Sequence, residues 1–172
     1  MKSLTADYFE FFELPRSLAI DPADLEKRFY AFSRELHPDR FARAPKDERD
    51  SAEETTAILN NAYRTLRDPV KRAMYLLKLE GFDIGEQGSK DVPPELLEEV
   101  FELNMALEES GDTSVLPRFE AMRAEIDGEI QALFAVWDAA HDRGTLTELR
   151  ALLNRRKYIT NLIEKANVPD RV

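Results

Sequence analysis

The sequence predicts an all-α protein built from two modules. Three observations predict it. Every apolar periodicity along the chain is helical, and none alternates as a strand would. Prolines and glycines fall where helices start or stop. Finally, residues 81–92 gather three of the six glycines into one short stretch, the best boundary between modules.

Tyr8, Phe9, Phe11, Phe12 and Leu14 make a short apolar helix that stops at Pro15. Asp21-Pro22 reads as an N-cap followed by proline at the first helical position, where its missing N–H costs nothing. Leu25, Phe29, Phe32 and Leu36 then recur as one buried stripe, and the helix ends near His37 because a residue before proline is pushed out of the α region. A polar loop is expected from Phe41 to Asp50. A third helix runs from about Ser51 to Leu66 on Ala52, Ile58, Leu59, Ala62, Tyr63 and Leu66. Asp68-Pro69 repeats the cap-plus-proline start and opens a fourth helix that stops at Gly81. Beyond the glycine-rich stretch, Pro93-Pro94 opens a helix to Glu109. A long one follows from about Ser114 to Arg143, and a last one ends near Asn167. Short turns between long helices make antiparallel neighbours, so the second module reads as a three-helix bundle.

Composition narrows the function. The 172 residues are 43% hydrophobic and 34% charged, with a formal net charge of −10. Such a surface repels nucleic acid and anionic lipid on average. No apolar run approaches the roughly 18–20 residues that cross a bilayer, and the start, Met1-Lys2-Ser3-Leu4, is neither a signal nor a transit peptide. The expected location is the cytoplasm. The chain has no cysteine, and its two histidines, His37 and His141, are far apart. Neither a metal nor another cofactor is expected.

The acidic average has a local exception. Lys27 and Arg34 share a face of the second helix, and Arg28, Arg40 and Arg43 add charge around it, beside the tripeptide His37-Pro38-Asp39. Alone, such a run, laced with Glu26 and Glu35, reads more readily as a solvated face, and it gains weight only from lying beside the tripeptide. Three readings of the tripeptide stand side by side. His37-Pro38 can be a plain helix stop. His37 and Asp39 can be an acid–base pair of a small hydrolase, although no nucleophile or glycine-built oxyanion site accompanies them. Or a proline-stiffened turn can offer a donor and a carboxylate to a partner protein.

Residues 7–80 resemble a J-domain, the module that stimulates the ATPase of DnaK-type heat-shock chaperones. The resemblance rests on Asp7-Tyr8-Phe9, Leu14-Pro15, Leu36-His37-Pro38-Asp39-Arg40-Phe41, Asn60-Asn61-Ala62-Tyr63-Arg64-Thr65-Leu66, Asp68-Pro69 and Arg72-Ala73-Met74-Tyr75. With Leu76-Leu77, Leu79-Glu80-Gly81-Phe82 and the run Leu96-Leu97-Glu98-Glu99-Val100-Phe101-Glu102-Leu103-Asn104, nearly the whole chain is similar to the HscB family of iron–sulfur cluster co-chaperones, in the bacterial form without an N-terminal zinc module. Arg40 departs from the lysine common after the tripeptide.

The resemblance implies a J-domain over residues 1–80, a helical hairpin with flanking short helices, a linker over 81–92, and a scaffold-binding three-helix bundle over 93–172. It implies a co-chaperone rather than an enzyme. Such a protein stimulates an HscA/DnaK-type ATPase chaperone and delivers the scaffold IscU to it; a J-protein for another client is the alternative. The implied chaperone-binding residues are Lys27, Arg28, Arg34, His37, Pro38, Asp39 and Arg40.

The bundle carries its own signal. On the helix from Pro94, Leu96, Val100, Leu103 and Leu107 make one stripe, while Leu97, Phe101 and Met105 make a second centred roughly 130° away at about 100° per residue. Glu98, Glu102 and Glu109 border the second. Tyr158 points roughly opposite Leu149, Leu153 and Ile163 on the last helix. This surplus either packs internally or meets a partner. The resemblance implies the latter, with Leu97, Phe101, Glu102, Met105 and Tyr158 holding the scaffold.

Overall fold

The computed structural model describes residues 7–82, 93–110 and 113–167. Most of the expected linker (83–92) and the side chains of Leu107 and Glu109 lie outside the described residues. Among the described residues the chain forms eight α-helices and one 3-10 turn, and no strand.

In the first unit, α1 (Tyr8–Phe11) is a single turn capped by Asp7, whose carboxylate accepts from the amides of Phe9 and Glu10 at 2.9 and 3.0 Å. The same carboxylate pairs with Arg16 at 2.7 Å. Phe9, Phe11 and Phe12 are buried, and the rings of Phe11 and Phe12 meet Phe32 of α2 (Pro22–Glu35). Leu25 is the fully buried member of the α2 stripe; Phe29, Phe32 and Leu36 are half-buried. Phe29 stacks on Tyr63 of α4 (Lys46–Arg67) with ring centres 4.1 Å apart, and α2 with α4 makes the helical hairpin.

The expected polar loop from Phe41 to Asp50 is a correction. Pro38–Phe41 forms a helical turn, α3, and α4 starts at Lys46 rather than near Ser51. This first turn of α4 is polar all round, so no apolar period marks it. It is favoured instead by Asp47 and Glu48 at the positive helix end and by a Lys46–Asp50 pair at 2.8 Å.

Asp68 caps α5 (Pro69–Leu79) through the amides of Val70 and Lys71. Arg72 is buried, with Nε donating to the Leu18 carbonyl at 2.9 Å and Nη1 to that of Leu66. It thereby ties the segment before α2 to the end of α4. The helix closes in a Schellman arrangement: Gly81, at φ +76°, donates to Lys78, and Phe82 donates to Leu77 at 2.9 Å.

Contacts divide the chain inside α5, between Leu76 and Leu77. In the second unit, Arg143 donates to the Glu80 carbonyl at 3.3 Å and lies over the Phe82 ring at 4.5 Å. Its helices are α6 (Pro94–Ser110), α7 (Leu116–Ala140, after the 3-10 turn Thr113–Val115) and α8 (Arg143–Asn167). Phe119, Met122, Ile126, Ile130, Phe134 and Trp137 form the buried stripe of α7, and Leu146, Leu149, Leu152, Leu153, Ile159 and Ile163 that of α8. His141, left-handed at φ 50°, ends α7, and Asp142 caps α8 through the Thr145 amide at 3.0 Å. So tight a turn makes the two helices antiparallel, and Arg156 bridges them to Asp127. None of the described helices is long and apolar enough to cross a membrane.

Candidate functional site

Leu36 ends α2, its amide bonded to the Phe32 carbonyl at 3.0 Å. His37 then leaves the helix at φ −58°, ψ 133°, as the residue before proline must. Pro38 takes the first position of α3, and His37 becomes its N-cap: Nδ1 accepts from the Asp39 amide at 3.3 Å, and its carbonyl accepts from the Arg40 amide at 3.0 Å. The His37 and Asp39 side chains are 60% and 92% exposed, with Nδ1 3.6 Å from Oδ2. An acid–base pair this open to water has no enclosed space in which to hold a substrate. What it can do is present a stiff, bipolar turn. Among the described residues, no group of three or more acidic or histidine side chains could hold a metal ion.

Lys27, Arg34 and Arg40 are exposed beside this turn. Arg28 is placed differently. It pairs with Asp24 at 2.8 Å and donates to the carbonyls of Phe12 and Glu13 at 3.0 and 3.1 Å. Its charge is thus committed to holding the end of α1. Sequence reasoning passed over Tyr30, which is 56% exposed and lines a shallow depression with Ser33, Arg34 and His37. The signal was present, since 27, 30, 34 and 37 fall on one helical face. On its other side the turn overlies an apolar groove of about 200 Å³, lined by Leu36, Pro38, Phe41, Ala52 and Thr56 with Arg49 and Glu53.

The second surface lies on α6. Phe101 is 65% exposed, between exposed Glu98 and Glu102. Leu97 and Met105, one turn to either side, are half-buried, while Val100 is 1% exposed and holds the helix to its unit. Within its own unit Phe101 is therefore a surface residue and no part of the core. Tyr158, on α8, is half-buried opposite the buried Leu149, Leu153 and Ile163. Glu99, on the flank of α6, is bound by Arg118 of α7 at 2.6 Å, and this hydrogen bond makes the guanidinium hold its proton more tightly.

Two family models match the chain in order: a DnaJ domain over residues 7–75 and an HSCB C-terminal oligomerisation domain over residues 92–167. A co-chaperone protein HscB homolog from Burkholderia multivorans is 34% identical over 157 residues, covering 89% of this chain and 90% of that protein. The chain belongs to the HscB family. The human iron–sulfur cluster co-chaperone protein HscB is 30% identical over 165 residues, covering 94% of this chain and 67% of that one. Among solved structures, human HscB superposes with a TM-score of 0.74 at 28% identity, covering 96% of this chain and 82% of that chain. HscB from Vibrio cholerae superposes with a TM-score of 0.65 at 28% identity, covering 94% and 95%. The two modules of this HscB-family chain are a J-domain and a helical C-terminal domain, and its relatives are named co-chaperones. Its place is among the J-domain co-chaperones of iron–sulfur cluster assembly.

Proposed function

We propose that this protein stimulates ATP hydrolysis by an Hsp70-type chaperone of the HscA kind and delivers an IscU-type scaffold to it in the cytoplasm. The J-domain, residues 1–80, meets the chaperone. Lys27 and Arg34 attract an acidic surface, Tyr30 adds apolar contact, and His37-Pro38-Asp39 with Arg40 forms the key. The bundle, residues 93–172, holds the scaffold on Leu97, Phe101, Glu102, Met105 and Tyr158, and the segment 81–92 joins the two. No bond is made or broken by this chain. Tethering the scaffold to the J-domain raises its local concentration at the chaperone, which couples the two bindings without a new contact.

The observation that carries this reading is the display of two unlike surfaces on one chain: an exposed His37-Asp39 turn beside cations, and an exposed Phe101 between glutamates. Neither suits a small molecule, and both suit a protein. The test is steady-state ATP hydrolysis by an HscA-type chaperone with this protein, with and without the scaffold. Stimulation by the protein alone, raised further by scaffold, supports the reading. No change in either case refutes it.

A further inference from the structure

Both acceptors at the start of α3 come from one residue. The His37 carbonyl takes the Arg40 amide, and its ring nitrogen Nδ1 takes the Asp39 amide at 3.3 Å. A ring nitrogen that accepts carries a lone pair, so this cap requires neutral imidazole with its proton on Nε2. The same nitrogen lies 3.6 Å from Asp39 Oδ2. One atom thus faces both a donor and an anion, and the proton decides which of them it binds.

We propose that His37 is a proton switch on the chaperone-facing turn, active when neutral and disengaged when protonated. This rests on the function proposed above. Protonation at Nδ1 removes the lone pair and sets an N–H against the Asp39 amide, so the cap is lost. The new donor takes the Asp39 carboxylate instead, drawing inward an anion that otherwise projects into water at 92% exposure. The far end of α3 is held by Phe41, half-buried in the groove with Ala52 and Thr56 of α4, so losing the cap loosens the first turn, where His37 and Asp39 lie. Both features that the turn presents, its helical geometry and its free carboxylate, change together.

The groups around the ring are few. Arg34 and Tyr30 share the depression with it from α2, along with Ser33. Asp39 and Arg40 belong to α3, and Arg49 and Glu53 of α4 line the groove beneath Pro38. Among side-chain types, histidine is the one whose charge ordinarily changes between pH 5 and 8.

The test is an NMR titration of the full chain between pH 8 and 5, paired with the ratio of stimulated to basal ATPase of the chaperone over the same range. Nitrogen shifts are expected to place the neutral ring's proton on Nε2, and the Asp39 amide to move with the midpoint of the His37 ring. In His37→Asn, whose carboxamide oxygen caps without titrating, the Asp39 amide stays flat. His141→Gln leaves the titration in place. The ATPase ratio falls toward one with the same midpoint. A neutral proton on Nδ1, an Asp39 amide that ignores the ring, or a flat ratio above one while the ring titrates would each overturn the switch. A ratio of one at every pH would bring down the J-domain reading and the switch with it. The NMR arm needs no chaperone, so it separates that failure from a failure of the cap.

Discussion

Arg28 reaches back from α2 to donate through Nη1 to the carbonyl of Phe12 at 3.0 Å. It stands next to Lys27 in sequence, yet the two arginine and lysine charges have different duties. Lys27 is exposed, whereas Arg28 also holds Glu13 and Asp24. Arg28→Ala should therefore lower the stability of the J-domain by about 1 kcal/mol, because it removes two hydrogen bonds to backbone carbonyls, one of them on the buried Phe12, and the pair with Asp24. Thermal melting checks this, and an unchanged melting temperature would return Arg28 to the binding face.

The steering charges should then be Lys27 and Arg34. Replacing both with alanine should weaken chaperone association and flatten its salt dependence, as expected for exposed charges screened over a Debye length of about 8–10 Å. Association rates measured across a salt series for wild type and the double variant decide this. Parallel slopes would make the face merely solvated.

His37→Gln should change the melting temperature little, within the roughly 1 kcal/mol that a lost cap on one exposed turn can cost. Stimulation of the chaperone should nonetheless disappear. Circular dichroism and ATPase assays on one preparation separate the two effects.

Tyr75 supplies an alkaline limit to the J-domain. Its hydroxyl oxygen accepts the Tyr8 amide at 3.0 Å, and the two rings stack at 4.5 Å. Burial raises its pKa above the ordinary 10.0, against the opposing pull of that hydrogen bond. A raised folded value means the native state keeps the proton longer than the unfolded chain. The stability this contributes is complete below about pH 10 and is lost as pH rises through the folded value. Tyr75→Phe should melt lower at pH 7 and lose this component of the alkaline decline. Melting curves from pH 7 to 11 for both proteins test it.

Much of this was legible in the sequence. Asp21-Pro22 and Asp68-Pro69 mark helix starts because cap and proline chemistry is local, and the stripes of α2 and α4 mark the hairpin because burial imposes a period. The first turn of α4 was hidden because its residues are polar throughout, and helix dipole and i,i+4 pairing leave no apolar trace. The difference between Lys27 and Arg28 was hidden for another reason. It depends on where the end of α1 sits in space, which no spacing on α2 encodes. Phe101 stood out as apolar surplus, but the same pattern fits a core side chain until its 65% exposure is seen.

That exposure separates neighbours on α6. Phe101→Ala should cost scaffold affinity roughly 1–2 kcal/mol or more, about ten-fold per 1.4 kcal/mol, with no loss of melting temperature. Val100→Ala, at a position 1% exposed, should do the reverse, losing about 1–2 kcal/mol of stability. Binding calorimetry and melting on both variants distinguish partner surface from core.

The most direct test of the whole account is chaperone ATPase activity with and without scaffold for wild type, His37→Gln and Phe101→Ala. The account predicts that wild type stimulates alone and further with scaffold, and that His37→Gln does neither. Phe101→Ala should keep the first effect and lose most of the second. Full scaffold-dependent enhancement in Phe101→Ala, or stimulation surviving in His37→Gln, would contradict it.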